Sequence, residues 1–243
     1  MHRRFRDQKE KAVARPHRWL RWTAVILITG LVIYAAIDLF WYPQQDLRRF
    51  DSIAMGTLET EMWRSYYDRQ PVQLYFQLAK MLRTQFGFPL LRSHLVAYHA
   101  ADAAFVFKDG QQRSDYEKAL PALQSYYRAI RNIGNIPFDV QKATQLELEW
   151  WIVHRQRDQH SRSALDTACA NAAAEVYQVL PDSTLEHGTL RAEAMVIRDS
   201  GAASGGVSED DWRRIESLLQ TCYRSLQRVV SKQTTTAGLS TSL

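Results

Sequence analysis

The chain predicts an all-α protein, with a single N-terminal transmembrane helix followed by an extracytoplasmic multi-helix bundle. Three observations carry this fold class. A long apolar run follows a basic N-terminus. Beyond it, apolar residues recur with the 3.6-residue period of a helix. No segment there alternates apolar and polar residues for long, and no Asn-Gly or Asp-Gly turn falls between β-rich runs.

The 243 residues suit one generous domain, because no long Pro/Gly/Ser linker interrupts the chain before its last fifth. The expected organisation is a basic cytoplasmic tail at 1–18, a transmembrane anchor at 19–42, a helical domain at 43–232 and a disordered C-terminal tail at 233–243. The formal net charge is +5, and the tail accounts for it: Arg3, Arg4, Arg6, Lys9, Lys11, Arg15, Arg18 and Arg21 stand against Asp7 and Glu10 alone. A nucleic-acid interface would place basic residues on the folded domain, interleaved with aromatics or set on a recognition helix. No such array occurs, so no nucleic-acid partner is expected.

From Trp22 to Tyr42 a helix would be roughly 30 Å long, the thickness of a bilayer core. Trp19 and Trp22 at one end, with Phe40, Trp41 and Tyr42 at the other, make the aromatic belts of a spanning helix. A cleaved signal peptide would have a shorter apolar run and a small-residue cleavage site, whereas bulky residues and Pro43 follow Asp38 here. The segment therefore reads as an uncleaved single-pass signal-anchor. The positive-inside rule leaves the N-terminus in the cytoplasm and exports everything after Pro43, which implies an inner-membrane protein with a periplasmic or otherwise extracytoplasmic domain. Arg48 and Arg49 oppose this orientation weakly.

Each helix of the domain has its own signals. Leu47, Phe50, Ala54, Leu58, Met62 and Ser65 share one face, and this helix could continue straight out of the membrane after Pro43. "PVQLYFQLAKMLRTQFG" opens on a proline suited to a first turn and closes on Gly87. Between Leu95 and Phe107 only His99 and Asp102 are strongly polar, which predicts an interior helix. Ser114 and Glu117 have capping-box spacing, Pro121 should kink or divide the helix they start, and Gly134 should end it. Asp139 can cap the helix containing "LELEWWIVHR", and Pro181 should stop the one after it. Gly188 is a weak point within the next, and "GAASGGV" is a loop. Ser208 and Asp211 form a capping box for the last helix, with acidic residues in its first turn matching the helix dipole. No repeat pattern of a helical solenoid is present.

Chemical motifs are scarce. There is no glycine-rich phosphate loop, Gly-x-Ser-x-Gly elbow, His-Glu-x-x-His pair or Cys-x-x-Cys. Helical bundles do build carboxylate-bridged metal sites from inward Glu and Glu-x-x-His pairs. The ligands available for one here are Glu61, His99, Asp102, Glu147, His154 and Glu193, without any Glu-x-x-His. Glu147, Trp151 and His154 share a helix face and Glu149 points almost oppositely. Glu147 and His154 are about 10 Å apart along the axis, too far for one metal. The favoured reading is a buried polar network of Asp102, Glu147, Glu149, His154, Arg155 and Glu193, satisfied by Arg, Tyr and Trp from neighbouring helices, with Arg191 and Arg198 also available. On the oxidising side of the membrane Cys169 and Cys222 could pair, or remain two small buried side chains.

The functional expectation is a membrane-anchored binding or scaffolding protein of the cell envelope, more a non-enzyme than an enzyme. It implies no cofactor, and its partners are the lipid bilayer and another envelope protein. The alternative is a membrane-tethered metalloenzyme with a carboxylate/histidine site inside a helical bundle.

Overall fold

The computed structural model describes residues 18–41 and 43–240, which divide between Trp41 and Tyr42 into two compact units. The first is α1 (Arg18–Phe40), whose stretch Arg21–Phe40 has a mean hydropathy of 2.2 and is long and apolar enough to cross a membrane. Its apolar side chains are almost all uncovered, Leu27 at 73% and Ile26 at 67% among them. Most of the basic tail, residues 1–17, and the aromatic Tyr42 lie outside the described residues.

The second unit is helical throughout, and local chemistry sets most of its boundaries. α2 (Ser52–Tyr67) begins where the Asp51 carboxylate accepts from the amides of Ile53 and Ala54, so no continuous helix runs from α1 into it. In the connection, Gln45 pairs with Gly134 through two backbone hydrogen bonds, to Ile133 O and from Asn135 N. α3 (Pro71–Phe86) has its proline in the first turn and ends at Gly87, whose φ of 67° is the left-handed geometry that glycine adopts without strain.

α4 (Leu90–Asp109) departs from the all-round interior helix. Leu95 and Tyr98 are 51% and 58% exposed and Asp102 faces outward with them, so only one side is buried. Pro121 divides the next segment into the single turn α5 (Arg113–Tyr116) and α6 (Leu120–Ile133). Ser114 lies inside α5 rather than capping it, and Glu117 binds Arg113 instead.

α7 (Val140–Arg155) is capped by Asp139, and α8 (Arg162–Tyr177) by Ser161. α9 (Leu185–Ala203) runs unbroken through Gly188, which is a point of close approach rather than of weakness. A Cβ there would lie 2.1 Å from the Asp166 carbonyl oxygen of α8. α10 (Glu209–Ser240) starts at the reciprocal Ser208/Asp211 box. It continues through residues 233–240, where a disordered tail was expected, and residues 241–243 lie outside the described part.

Helix neighbours follow chain order and then close on themselves. α2 packs on α3, α3 on α4, α4 on α6, α6 on α7, α7 on α8, α8 on α9, α9 on α10, and α10 returns to α2, with α5 between α4 and α7. This is a ring. Much of its core is accordingly distributed between neighbours: Phe107, Leu123 and Ile152 join α4, α6 and α7; Val153, Cys169 and Met195 join α7, α8 and α9; and Ile197, Ile215 and Leu219 join α9 and α10. A larger cluster including Met55, Leu82, Phe138, Tyr177 and Leu226 fills the rest.

Candidate functional site

The ring encloses a cavity of about 390 Å³, within the range of small-molecule pockets, and every helix of the ring contributes to its lining. The side chains facing it recur at helical spacing: Glu59, Met62, Trp63 and Tyr66 on α2; Glu147, Trp150, Trp151 and His154 on α7; His187, Arg191, Met195 and Arg198 on α9. Each stripe is apolar and aromatic with a charge or two inserted.

Two carboxylates occupy the interior, and they are held differently. Glu59 is ion-paired with Arg191, whose Nη1 donates to Glu59 Oε2 at 3.0 Å, and it also accepts from Trp63 Nε1 at 3.1 Å and from the Tyr223 hydroxyl. Burial opposes the charge of Arg191, but Glu59 outweighs it and holds the guanidinium firmly protonated. Glu147 has neutral partners only: Tyr127 Oη donates at 2.8 Å and Trp151 Nε1 at 3.0 Å. Burial pushes the Tyr67, Tyr126, Tyr127, Tyr177 and Tyr223 phenols well up, so these rings stay neutral and those that hydrogen-bond to carboxylates act as donors.

At the other end the lining is cationic. Arg157 is the exposed residue of the described lining and so marks where the cavity opens. Asp199 lies 2.9 Å from His154 Nε2, 2.7 Å from Arg198 Nη1 and 3.4 Å from Arg157 Nη1. Burial works against its ionisation, yet those neighbours prevail and hold the carboxyl below its usual range. Arg198 stacks 3.3 Å from the centre of the Tyr67 ring, and Arg155 lies over Phe107 at 4.9 Å. Beside them Lys108 donates to the Tyr66 and Tyr67 carbonyls, left over at the end of α2. Burial, aided by Arg69, Arg198 and Arg155, pushes its amine down to about 8. Thus the contacts of Asp199 are with His154, Arg157 and Arg198, while Arg155 lines the same cavity and Lys108 lies near Asp109.

The two cysteines are free and buried. Cys169 faces the cavity, its thiol pushed up to about 12 by burial, whereas Cys222 Sγ lies 2.9 Å from His187 Nδ1. Burial and Arg191 push His187 down to about 4, and burial pushes Cys222 well up, so this is a neutral thiol and imidazole rather than an activated nucleophile.

Of the sequence-predicted residues, Glu147, His154 and Arg155 line the cavity together. Three others do not belong to a buried network: Asp102 is exposed, Glu149 reaches Arg113 on the outer surface at 43% side-chain exposure, and Glu193 binds Arg162 at 47%. They occupy outward faces, where solvent satisfies them. Glu61 and His99 are half-buried away from the cavity. Among the described residues no group of three or more His, Cys, Asp and Glu side chains has the geometry of a metal site, so the metal-ligand candidates are scattered.

Sequence reasoning missed Glu59, Asp199, Tyr127 and Tyr223. The available signal was the i, i+4 pair Glu59 and Trp63, and the inward stripe from Arg191 through Met195 to Arg198. Comparison with known proteins found no matching family model, curated protein or solved structure.

Proposed function

We propose that the protein is a single-pass, membrane-anchored binding domain of the cell envelope that takes a small, largely apolar ligand with an acidic group into the centre of its helical ring. The observation that carries this reading is the aromatic-lined cavity of about 390 Å³, polarised toward a cationic opening. Trp, Tyr and Met side chains provide a large apolar contact area, and an anion entering at Arg155, Arg157 and Arg198 meets more positive than negative charge. The thiol of Cys169, the cysteine of the lining, is pushed up by burial, which fits binding better than covalent chemistry.

The anchor reading is supported by α1, by the basic residues before it and by the aromatic residues at both its ends. On this topology the ring lies outside the cytoplasm of a bacterial inner membrane. A reporter active only outside the cytoplasm, fused to the C-terminus, should be active; activity of a cytoplasm-only reporter there would reverse the orientation.

Ligand binding is tested by titrating the full chain in lipid nanodiscs with decanoate and with decanol while following indole emission. Trp63, Trp150 and Trp151 line the cavity and report its occupancy. Decanoate should give a saturable change, decanol a weaker one, and the double variant Arg155→Gln/Arg198→Gln should lose about tenfold in decanoate affinity. No saturable change with either compound would contradict the reading.

A further inference from the structure

Glu147 sets the cavity apart from a simple receptor for an acid. Among the described residues no Lys, Arg or His nitrogen lies within 4.0 Å of its carboxylate, although Glu59 nearby on the wall has Arg191. Its two oxygens each take one neutral donor, Tyr127 Oη and Trp151 Nε1, which orient the group without supplying a counter-charge. The carboxylate is half-buried and has no counter-charge in contact with it, and a bound cation would supply one. The surroundings favour an organic cation over a metal ion. Tyr126, Tyr127 and Trp151 line the same cavity, and aromatic faces attract ammonium groups through their quadrupoles. Among the described residues Glu147 belongs to no group of three or more His, Cys, Asp and Glu side chains that could hold a metal ion.

The opening has the opposite sign, and α7 sets the separation. Glu147 and His154 lie on one face of this helix about 10 Å apart along its axis, with His154 beside the Asp199, Arg157 and Arg198 cluster. The cavity is therefore negative inside and positive at its mouth. A simple organic cation would have to enter past Arg155, Arg157 and Arg198, whereas a molecule with charge at both ends fits the two regions together.

We infer that the ligand is dipolar: its acidic group lies on Arg155, Arg157 and Arg198, and an apolar spacer carries a protonated amine inward to Glu147, beside the rings of Tyr127 and Trp151. This rests on the ligand-binding reading above and specifies the chemical class that the site takes.

The test uses the full chain in nanodiscs and three ligand series: ω-aminoalkanoic acids of increasing length, the alkanoic acids of the same lengths, and the corresponding alkylamines. The amino acids should pass through an affinity maximum where their charged ends are about 10 Å apart. At that length they should bind at least about tenfold more tightly than the alkanoic acid, the effect of one desolvated charge-assisted contact. Glu147→Gln, which keeps an acceptor for Tyr127 or Trp151, should erase this preference. An alkanoic acid that binds as tightly as its amino counterpart, or a preference that survives in Glu147→Gln, would overturn the inner cation site and leave the acid-binding mouth standing. An alkylamine that binds more tightly than the amino acid would overturn the dipolar assignment. Failure of every acid-bearing compound to bind would instead remove the ligand-binding reading itself. The wild-type series decides the matter even if the variant does not fold.

Discussion

At the scale of single residues, the two interior glutamates make a controlled comparison. Glu59 shares its charge with Arg191 at 15% and 5% side-chain exposure for the arginine and glutamate, so Glu59→Leu strands a buried guanidinium and should cost about 3 to 5 kcal/mol. Glu147→Leu leaves two neutral donors unsatisfied but no stranded charge, and should cost about 1 to 3 kcal/mol. Urea unfolding followed by tryptophan emission distinguishes them; equal losses would mean that Glu147 has a cationic partner after all. His187 makes stability depend on pH. Its folded-state value of about 4 lies below the unfolded value, so the unfolded chain binds more protons between the two. Stability should therefore fall by about 3 kcal/mol as pH drops from about 6.5 to 4. His187→Leu should flatten that slope; an unchanged slope would place its origin elsewhere. Asp199 acts over a more acidic window, since its depressed folded value contributes stability above the ordinary carboxylate range that is lost as pH falls through the folded value.

At the scale of helices, much was legible in the chain because caps and breakers act locally. Asp139, Gly87, Gly134 and the Ser208/Asp211 pair each stand where their chemistry placed them. What was not legible depends on partners distant in sequence. The apolar run of α4 looked interior, yet Leu95 and Tyr98 face outward, because a composition does not say how many sides of a helix its neighbours cover. Gly188 read as a flaw and is a contact with α8, and Gly56 of α2 plays the same part against α10, where an added Cβ would lie 2.4 Å from the Gln220 amide nitrogen. Both obstacles are backbone atoms of another helix, so neither yields by a side-chain rotation. Gly56→Ala should therefore destabilise by about 1 to 3 kcal/mol despite its gain in helix propensity. A melting temperature equal to or above that of the parent would show that α2 and α10 are not so closely apposed.

At the scale of the whole molecule, a helical bundle was foreseeable, but its closure into a ring was not. Closure is a property of the pair α2 and α10, at opposite ends of the domain sequence, and no local pattern encodes it. The cavity follows from closure, which is why Glu147 and His154 could be assigned to one face of α7 while the space they face went unrecognised. Both had been read as internal wiring; each does have partners within the ring, and each also lines the cavity. The cavity can be filled by substitution. Ala173 of α8 lines it, and Ala173→Phe projects a ring into existing space rather than into packed core. Decanoate binding by the parent and by Ala173→Phe, measured side by side in nanodiscs with melting temperature as the check on folding, tests whether the centre of the ring holds the ligand. Binding by the parent should be saturable and should be lost in a variant that melts at or above the parental temperature. Equal binding by the two folded proteins would contradict it, because the ligand would then lie somewhere other than the centre of the ring.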